Sequence, residues 1–354
     1  MIPLLRPFDF LDALDDLDTI GTAPEPGAPL GVVRYTTRGL DPAVRDGVPV
    51  LDLPMVHTRD GGFVEVWPAR GPVTSGERDG IVYALDGTYM FCAGRIAPAA
   101  TYTKATRDAY LTALDLLAAA GYGSVFRMWN FIGDINADNA EGMEIYQDFC
   151  RGRAEAFESR ALDIPRIPAA TGVGSLGGPG IAFYLLAGRP DSTVHTGVEN
   201  PLQLPAYHYP RRYGPKSPRF ARATHVRSTA ETGGRIYVSG TAGILGHESV
   251  HVGDVEAQCR VTLATMGRLL APENLAAHGL AAGPRSDGHD GHDDSAGLGS
   301  VRSAKVYVRR HADLPTVRRL CERAFPAAAE VAYLTVDLCR EELLVEIEAI
   351  ADGT

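Results

Sequence analysis

Lysine is scarce in this 354-residue chain: three lysines stand among 34 basic residues, against 44 acidic ones and a formal net charge of −10. We read the scarcity as coding bias. The acidic total, however, excludes a general nucleic-acid or anionic-membrane binder, which needs a broad positive field. No apolar stretch approaches the ~18 residues needed to cross a bilayer. The start, MIPLLRPFDFLDALDDLD, lacks a basic segment followed by an apolar run, so no signal peptide is expected there. The five cysteines include no CxxC pair. That argues against a disulfide frame or a zinc site, and for reduced thiols in a cytoplasmic protein. One further absence is local. Residues 200–230 contain no Asp or Glu, yet they hold Arg211, Arg212, Lys216, Arg219, Arg222 and Arg227, with Tyr207, Tyr209 and Tyr213 interleaved.

What is present repeats. GTYMFCAGRI (87–96) and GRIYVSGTAGI (234–244) both read as apolar strands, ending at Gly94 and Gly240. Each leads to a helix. Tyr110, Ala113, Leu114 and Leu117 form one apolar stripe; Val255, Cys259, Leu263, Met266 and Leu270 form the other. SVFRMWNF (124–131) and SAKVYVRR (303–310) follow as strands, then EIYQDFCRGRAEAF and PTVRRLCERAF as helices. GIAFYLLAG (180–188) and LLVEIEAIA (343–351) close the two halves. Shared order and length point to duplication. Residues 1–62 are too short for a full third copy, although GVVRYTT and GVPVLDLPMV suggest a truncated one. The domains expected are 1–62, 63–205 and 206–354. The last carries an insert at 283–300, where His289 and His292 lie among aspartates and glycines; a solvated loop is favoured there over a metal site.

These stretches carry a resemblance. The second half resembles the RidA/YjgF module. The chain as a whole, over roughly residues 60–350, is similar to the chorismatases in FRMWNFIGDIN, YQDFCRGRAEAF, IPAATGVGS, SGTAGILGH and CREELLVEIEA. The resemblance implies an α/β (α+β) fold of RidA/YjgF-like sheet-and-helix modules in a pseudo-threefold arrangement. It also implies a monomer, with the active site between the central and C-terminal modules. It implies cleavage of the enolpyruvyl ether of chorismate, releasing pyruvate, with no metal or organic cofactor.

Chorismate carries two carboxylates, so its pocket needs fixed cations and apolar or aromatic walls. The acid-free segment supplies both, stiffened by Pro205, Pro210, Pro215 and Pro218. A solvated basic linker is the alternative. Tyr209, Tyr213, Lys216 and Arg222 are the substrate contacts expected there, with Ala242 in the TAGI segment. The resemblance adds Arg153 opposite them; a helix-surface arginine is its plainer reading. The reaction also needs an acid to protonate the enol methylene. Glu346 and Glu348 point to one face of the closing strand. The family motif places the acid at the first, Glu346, and leaves Glu348 structural. The resemblance to the 3-hydroxybenzoate-forming type rests on Gly243 and Cys339 and implies roles for both in choosing the product. A hydrolytic chorismatase, giving a dihydroxycyclohexadiene carboxylate, remains the alternative. A RidA-type imine or enamine deaminase ranks below both, because no arginine stands near Val331. A nucleic-acid role would rest on the basic segment alone and is not expected.

Overall fold

A computed structural model describes residues 1–7, 28–58, 61–162, 166–280 and 297–353. His289 and His292, and the insert as far as residue 296, lie outside the described residues. The remainder forms three main sheets in succession.

The first sheet comprises β1 (Leu4–Pro7), β2 (Gly31–Thr36), β3 (Leu40–Arg45), β4 (Val48–Pro54) and β5 (Phe63–Trp67), in the order β1-β5-β2-β4-β3. The second comprises β6 (Thr74–Arg78), β7 (Ile81–Leu85), β8 (Tyr89–Ile96), β9 (Ser124–Gly133), β10 (Ala169–Ser175) and β11 (Ile181–Gly188), ordered β10-β9-β11-β8-β7-β6. Helices α1 (Thr103–Ala120) and α2 (Ile145–Ser159) cover its outer face. The third holds β12 (Thr193–Val198), β13 (Ala223–Ser228), β14 (Gly234–Ala242), β17 (Val301–Val308), β18 (Glu330–Thr335) and β19 (Val345–Gly353), ordered β12-β13-β14-β19-β17-β18. A short hairpin, β15 (Ile244–Leu245) and β16 (Glu248–Ser249), follows β14. Helices α3 (Val255–Leu270), α4 (Pro272–Ala277) and α5 (Leu314–Ala324) complete this unit.

The second and third sheets share one topology, strand for strand: β6-β7-β8-β11-β9-β10 matches β12-β13-β14-β19-β17-β18. Each has a single parallel pair beside its closing strand, β9 with β10 and β17 with β18. The first sheet repeats that order in reduced form. Its β1-β5-β2-β4 has the pairings of β8-β11-β9-β10, including the parallel pair β2–β4, and β3 is added at the edge. The sheets divide the chain between residues 67 and 74 and between 188 and 193, not at 62 and 205. Phe63–Trp67 pairs into the first sheet and Thr193–Val198 into the third.

Period-2 alternation in the closing strands decides which way each residue faces. In β11, Ile181, Phe183, Leu185 and Ala187 meet α1 and α2, while Ala182, Tyr184 and Leu186 face the other way. In β19, Val345, Ile347, Ala349 and Ala351 meet the helices of the third unit. Glu346 and Glu348 therefore face away from those helices, toward the other sheets. The helix-free faces of all three sheets share one core, which includes Val33, Leu51, Trp67, Tyr184, Tyr237 and Tyr307. The helices have ordinary local causes. An Asp254 carboxylate caps α3 by accepting from the Ala257 amide, and Gly121 in the left-handed region (φ 85°) ends α1. Among the described residues no helix is long and apolar enough to cross a membrane.

Candidate active site

A cleft of about 760 Å³, counting its open mouth, lies between the second and third sheets. Its floor is the edge strand β10 at Ala170, Thr171 and Gly172, facing Gly240 and Ala242 of β14. Its walls come from α2 (Tyr146, Gln147, Arg153), from the segment after β12 (Tyr209, Tyr213, Phe220, Arg222) and from the β18–β19 connection (Cys339, Arg340).

Glu346 projects into this cleft while only 3% exposed. Burial, then the neighbouring charge of Glu348, pushes its carboxyl up to about 8 against the partial opposition of Arg127. Among the described residues its one side-chain hydrogen-bond partner is a weak one, the Cys339 thiol at 3.9 Å from Oε2. The thiol is itself held neutral, chiefly by burial and then by Glu346. Glycine leaves this carboxyl its room: a Cβ on Gly240 would lie 1.9 Å from Glu346 Oε1, so a larger residue there would displace the carboxyl.

Glu348, two residues on, has the opposite surroundings. Its Oε1 receives Trp129 Nε1 at 2.8 Å and lies 2.9 Å from Lys305 Nζ. Its Oε2 receives Arg127 Nη2 at 2.7 Å and the Thr171 hydroxyl. Burial works to raise its pKa, yet Lys305 and Arg127 leave it below the usual carboxylate value. Two carboxyls on one strand face are thus separated into a proton-bearing group without strong donors and an ionised one with four.

The cations divide as well. Arg153 is 2% exposed, lies 5.0 Å above the Phe149 ring and has an Nε without a hydrogen-bond partner among the described residues. Arg222 gives Nη2 to Leu204 O (2.7 Å) and to the Tyr209 hydroxyl (2.8 Å), and its Nε is likewise unpartnered among the described residues. Buried guanidinium nitrogens without partners are costly in an empty protein and suit an anionic ligand. Tyr209 and Tyr213 form a tilted pair 5.4 Å apart, with the Arg340 guanidinium 4.0 Å from the Tyr213 ring. Tyr213 donates to His247 O at 2.7 Å, which ties the segment to the β15–β16 hairpin.

The structure thus brings Glu346, Cys339, Arg153, Tyr209, Tyr213, Arg222 and Ala242 around one cleft. Two expected residues lie outside it. Lys216 points to the surface, where Nζ pairs with Glu158 at 2.9 Å. The segment lacks acids of its own, but Glu158 and Glu248 reach it from elsewhere and pair with Lys216, Arg219 and Arg212. Gly243 also lies outside the lining. A Cβ there would meet Gln258 of α3, with Cγ at 3.1 Å, rather than a bound ring. Sequence reasoning missed Arg340, Tyr146, Thr171 and Gly240. Arg340 directly follows Cys339, and Gly240 sits in the SGTAG stretch that drew attention to Gly243, so both had a local signal. Tyr146 opens the YQDFCRGRAEAF stretch and Thr171 lies within IPAATGVGS, but nothing local singled either out from its neighbours, because their places depend on how the sheets meet.

Comparison with known proteins identifies the family. The family model described as chorismatase FkbO/Hyg5-like, N-terminal, matches residues 65–187. A 3-hydroxybenzoate synthase of Streptomyces hygroscopicus is 54% identical over 323 residues, 91% of each chain. A chorismatase of Streptomyces rapamycinicus is 41% identical, with 91% of this chain and 92% of that one covered. A crystal structure of a chorismatase superposes with a TM-score of 0.83 at 42% identity, over 91% of this chain and 92% of the other. With this extent of identity along almost its whole length, the chain belongs to the chorismatase family.

Proposed function

We propose that the chain converts chorismate to 3-hydroxybenzoate and pyruvate, with Glu346 as the general acid. The observation that carries this reading is a buried carboxyl, pushed toward its protonated form, facing a cleft where Arg153 and Arg222 each hold an Nε unpartnered among the described residues. Glu346 protonates the terminal methylene of the enolpyruvyl group, giving an oxocarbenium ion. The C4 oxygen of the substrate gives up its proton and displaces the pyruvyl oxygen, which leaves C3 as pyruvate, to form an arene-oxide-like C3–C4 ether. The C4–O bond then breaks, the C3 hydrogen leaves as a proton, and the oxygen stays on C3 as the phenol. Substrate and products balance without an added water.

Arg153 and Arg222 hold the two carboxylates from opposite sides, and Tyr209, Tyr213 and Phe220 wall the ring. Cys339 places a thiol, a poor hydrogen-bonder, where a water would otherwise solvate the acid and the cation. That feature, with the 54% identity to a 3-hydroxybenzoate synthase, favours the aromatising route over the hydrolytic one. Incubation with chorismate under a lactate dehydrogenase-coupled assay detects pyruvate, and liquid chromatography identifies the aromatic product. Absence of pyruvate above background overturns the reading. A dihydrodiol acid as main product overturns only the product assignment.

A further inference from the structure

Glu348 is one corner of a buried cluster that joins all three sheets. Lys305 of β17, 4% exposed, lies 2.9 Å from Glu348 Oε1 and 2.8 Å from Glu65 Oε2 of β5. Glu65 also accepts from the hydroxyls of Tyr35 on β2 (2.7 Å) and Tyr184 on β11 (2.9 Å). Arg127 of β9 closes the cluster against Glu348. The charges are two cations and two anions. Each carboxylate has a cation in direct contact, and Lys305 is shared between them.

We propose that Glu65, Glu348, Arg127 and Lys305 are a charge-closed quartet that denies Glu346 a counter-ion, so that the first sheet takes part in catalysis without touching the cleft. In a buried site a third ionised carboxyl needs a third cation. None is in place. Among the described residues no lysine or arginine forms an ion pair with Glu346, and the cleft arginines Arg153, Arg222 and Arg340 are turned to other partners or to the cavity. Glu144, at the same cleft, is a further carboxyl and brings no cation, and the neighbouring phenols and thiol are uncharged. Tyr35 and Tyr184 are held neutral mainly by burial, as are Tyr307 of β17, Tyr146 of α2 and Cys339 of the β18–β19 connection. The quartet therefore fixes which carboxyl keeps its proton, and Glu65, Glu348 and Lys305 are positioning residues acting through Glu346.

Removing either anion leaves a spare positive charge, which makes Glu346 easier to ionise. This inference rests on Glu346 being the acid, and its test separates the two claims. The alkaline limb of the kcat profile for chorismate is measured in Glu65→Gln and Glu348→Gln, with KM followed in parallel. Both variants are expected to move the limb toward acid, Glu348→Gln by a pH unit or more and Glu65→Gln by less. A one-unit shift makes the rate loss about tenfold larger at pH 9 than at pH 6. A merely structural role lowers kcat by the same factor at every pH. A limb that stays in place or moves toward alkali in both variants overturns the proposal. If the variants are too unstable to assay, carbon NMR titration of the glutamate carboxyls in the unmodified chain, assigned with Glu346→Gln, reads the same point without turnover. One carboxyl is expected to titrate near 8 and vanish in that variant, while Glu348 titrates below the ordinary carboxylate value. Titration of Glu348 in the same range as Glu346 overturns the proposal. The titration result stands even if chorismate is not the substrate.

Discussion

Glu346 does two things at once: it stores a proton near neutral pH and makes the fold sensitive to alkali. Its unfolded-state value is the ordinary 4.5, against about 8 in the fold. Between those values the folded chain holds one proton more than the unfolded chain, so stability falls as pH rises through that window and the deficit is complete above pH 8. Glu346→Gln keeps the shape but cannot deliver a proton. Turnover is expected to drop by about 10²–10⁴-fold, the ordinary contribution of one general acid. The melting temperature of the variant relative to the unmodified chain is expected to rise from pH 5 to pH 9. A constant difference would mean that Glu346 is already ionised in the folded protein. Gly240→Ala tests the same residue from outside. The added methyl would overlap Oε1 and force the carboxyl out of position, so kcat should fall by at least tenfold in steady-state assays while far-ultraviolet circular dichroism stays unchanged.

At the scale of elements, the segment 207–222 divides into residues that face the cleft and residues that anchor it. Lys216 pairs with Glu158 at the surface, and such exposed pairs contribute about 0–1 kcal/mol. Lys216→Ala should therefore leave KM within about twofold, whereas Arg153→Ala, which removes a charged donor from a buried wall, should raise KM about tenfold or more. Equal effects from the two would return Lys216 to the binding surface. The β14 turn offers a second case. Gln258, fully buried on α3, gives Nε2 to Glu342 O and receives the Leu344 amide, each at 2.8 Å. It thereby pins the start of β19, which carries Glu346. A methyl on Gly243 presses on that side chain. Gly243→Ala should accordingly shift the product mixture toward the diol, and Gln258→Leu should do the same without altering the cleft lining. If only Gly243→Ala has an effect, contact through Gln258 is not the route.

The closing strand shows how far the sequence could be read. Alternation along LLVEIEAIA put Glu346 and Glu348 on one face before any fold was known, because strand period is a local property. Which carboxyl would be ionised was not local. It depends on Arg127, Thr171, Lys305 and Glu65, drawn from β9, β10, β17 and β5. The second and third sheets could be recognised as copies because their order of elements is shared. The first sheet was harder to read. Its pairings match the other two, but β3 occupies the stretch where the others place α2 and α5, so the helical period is missing. The acid-free segment misled in one respect. A stretch without carboxylates can still be neutralised by carboxylates from other elements, and composition cannot show that Glu158 and Glu248 are the ones that arrive.

Across the whole molecule, the seam between the second and third sheets is held at its base. Thr171 Oγ1 on β10 receives the Gly240 amide of β14 at 3.1 Å, and its hydroxyl is donated to Glu348 of β19. The Ala170 amide reaches Ser239 Oγ, and the Gly174 amide reaches Asp337 O. A ligand cannot enter by parting these sheets without breaking that row, so admission falls to the mouth, where Tyr213 and Arg340 rest on the β15–β16 hairpin through His247 O. The Gly240 amide then becomes a native reporter of breathing along the seam. In deuterated buffer it should be among the last to exchange, while amides of 207–222 exchange early and slow down when 3-hydroxybenzoate is bound.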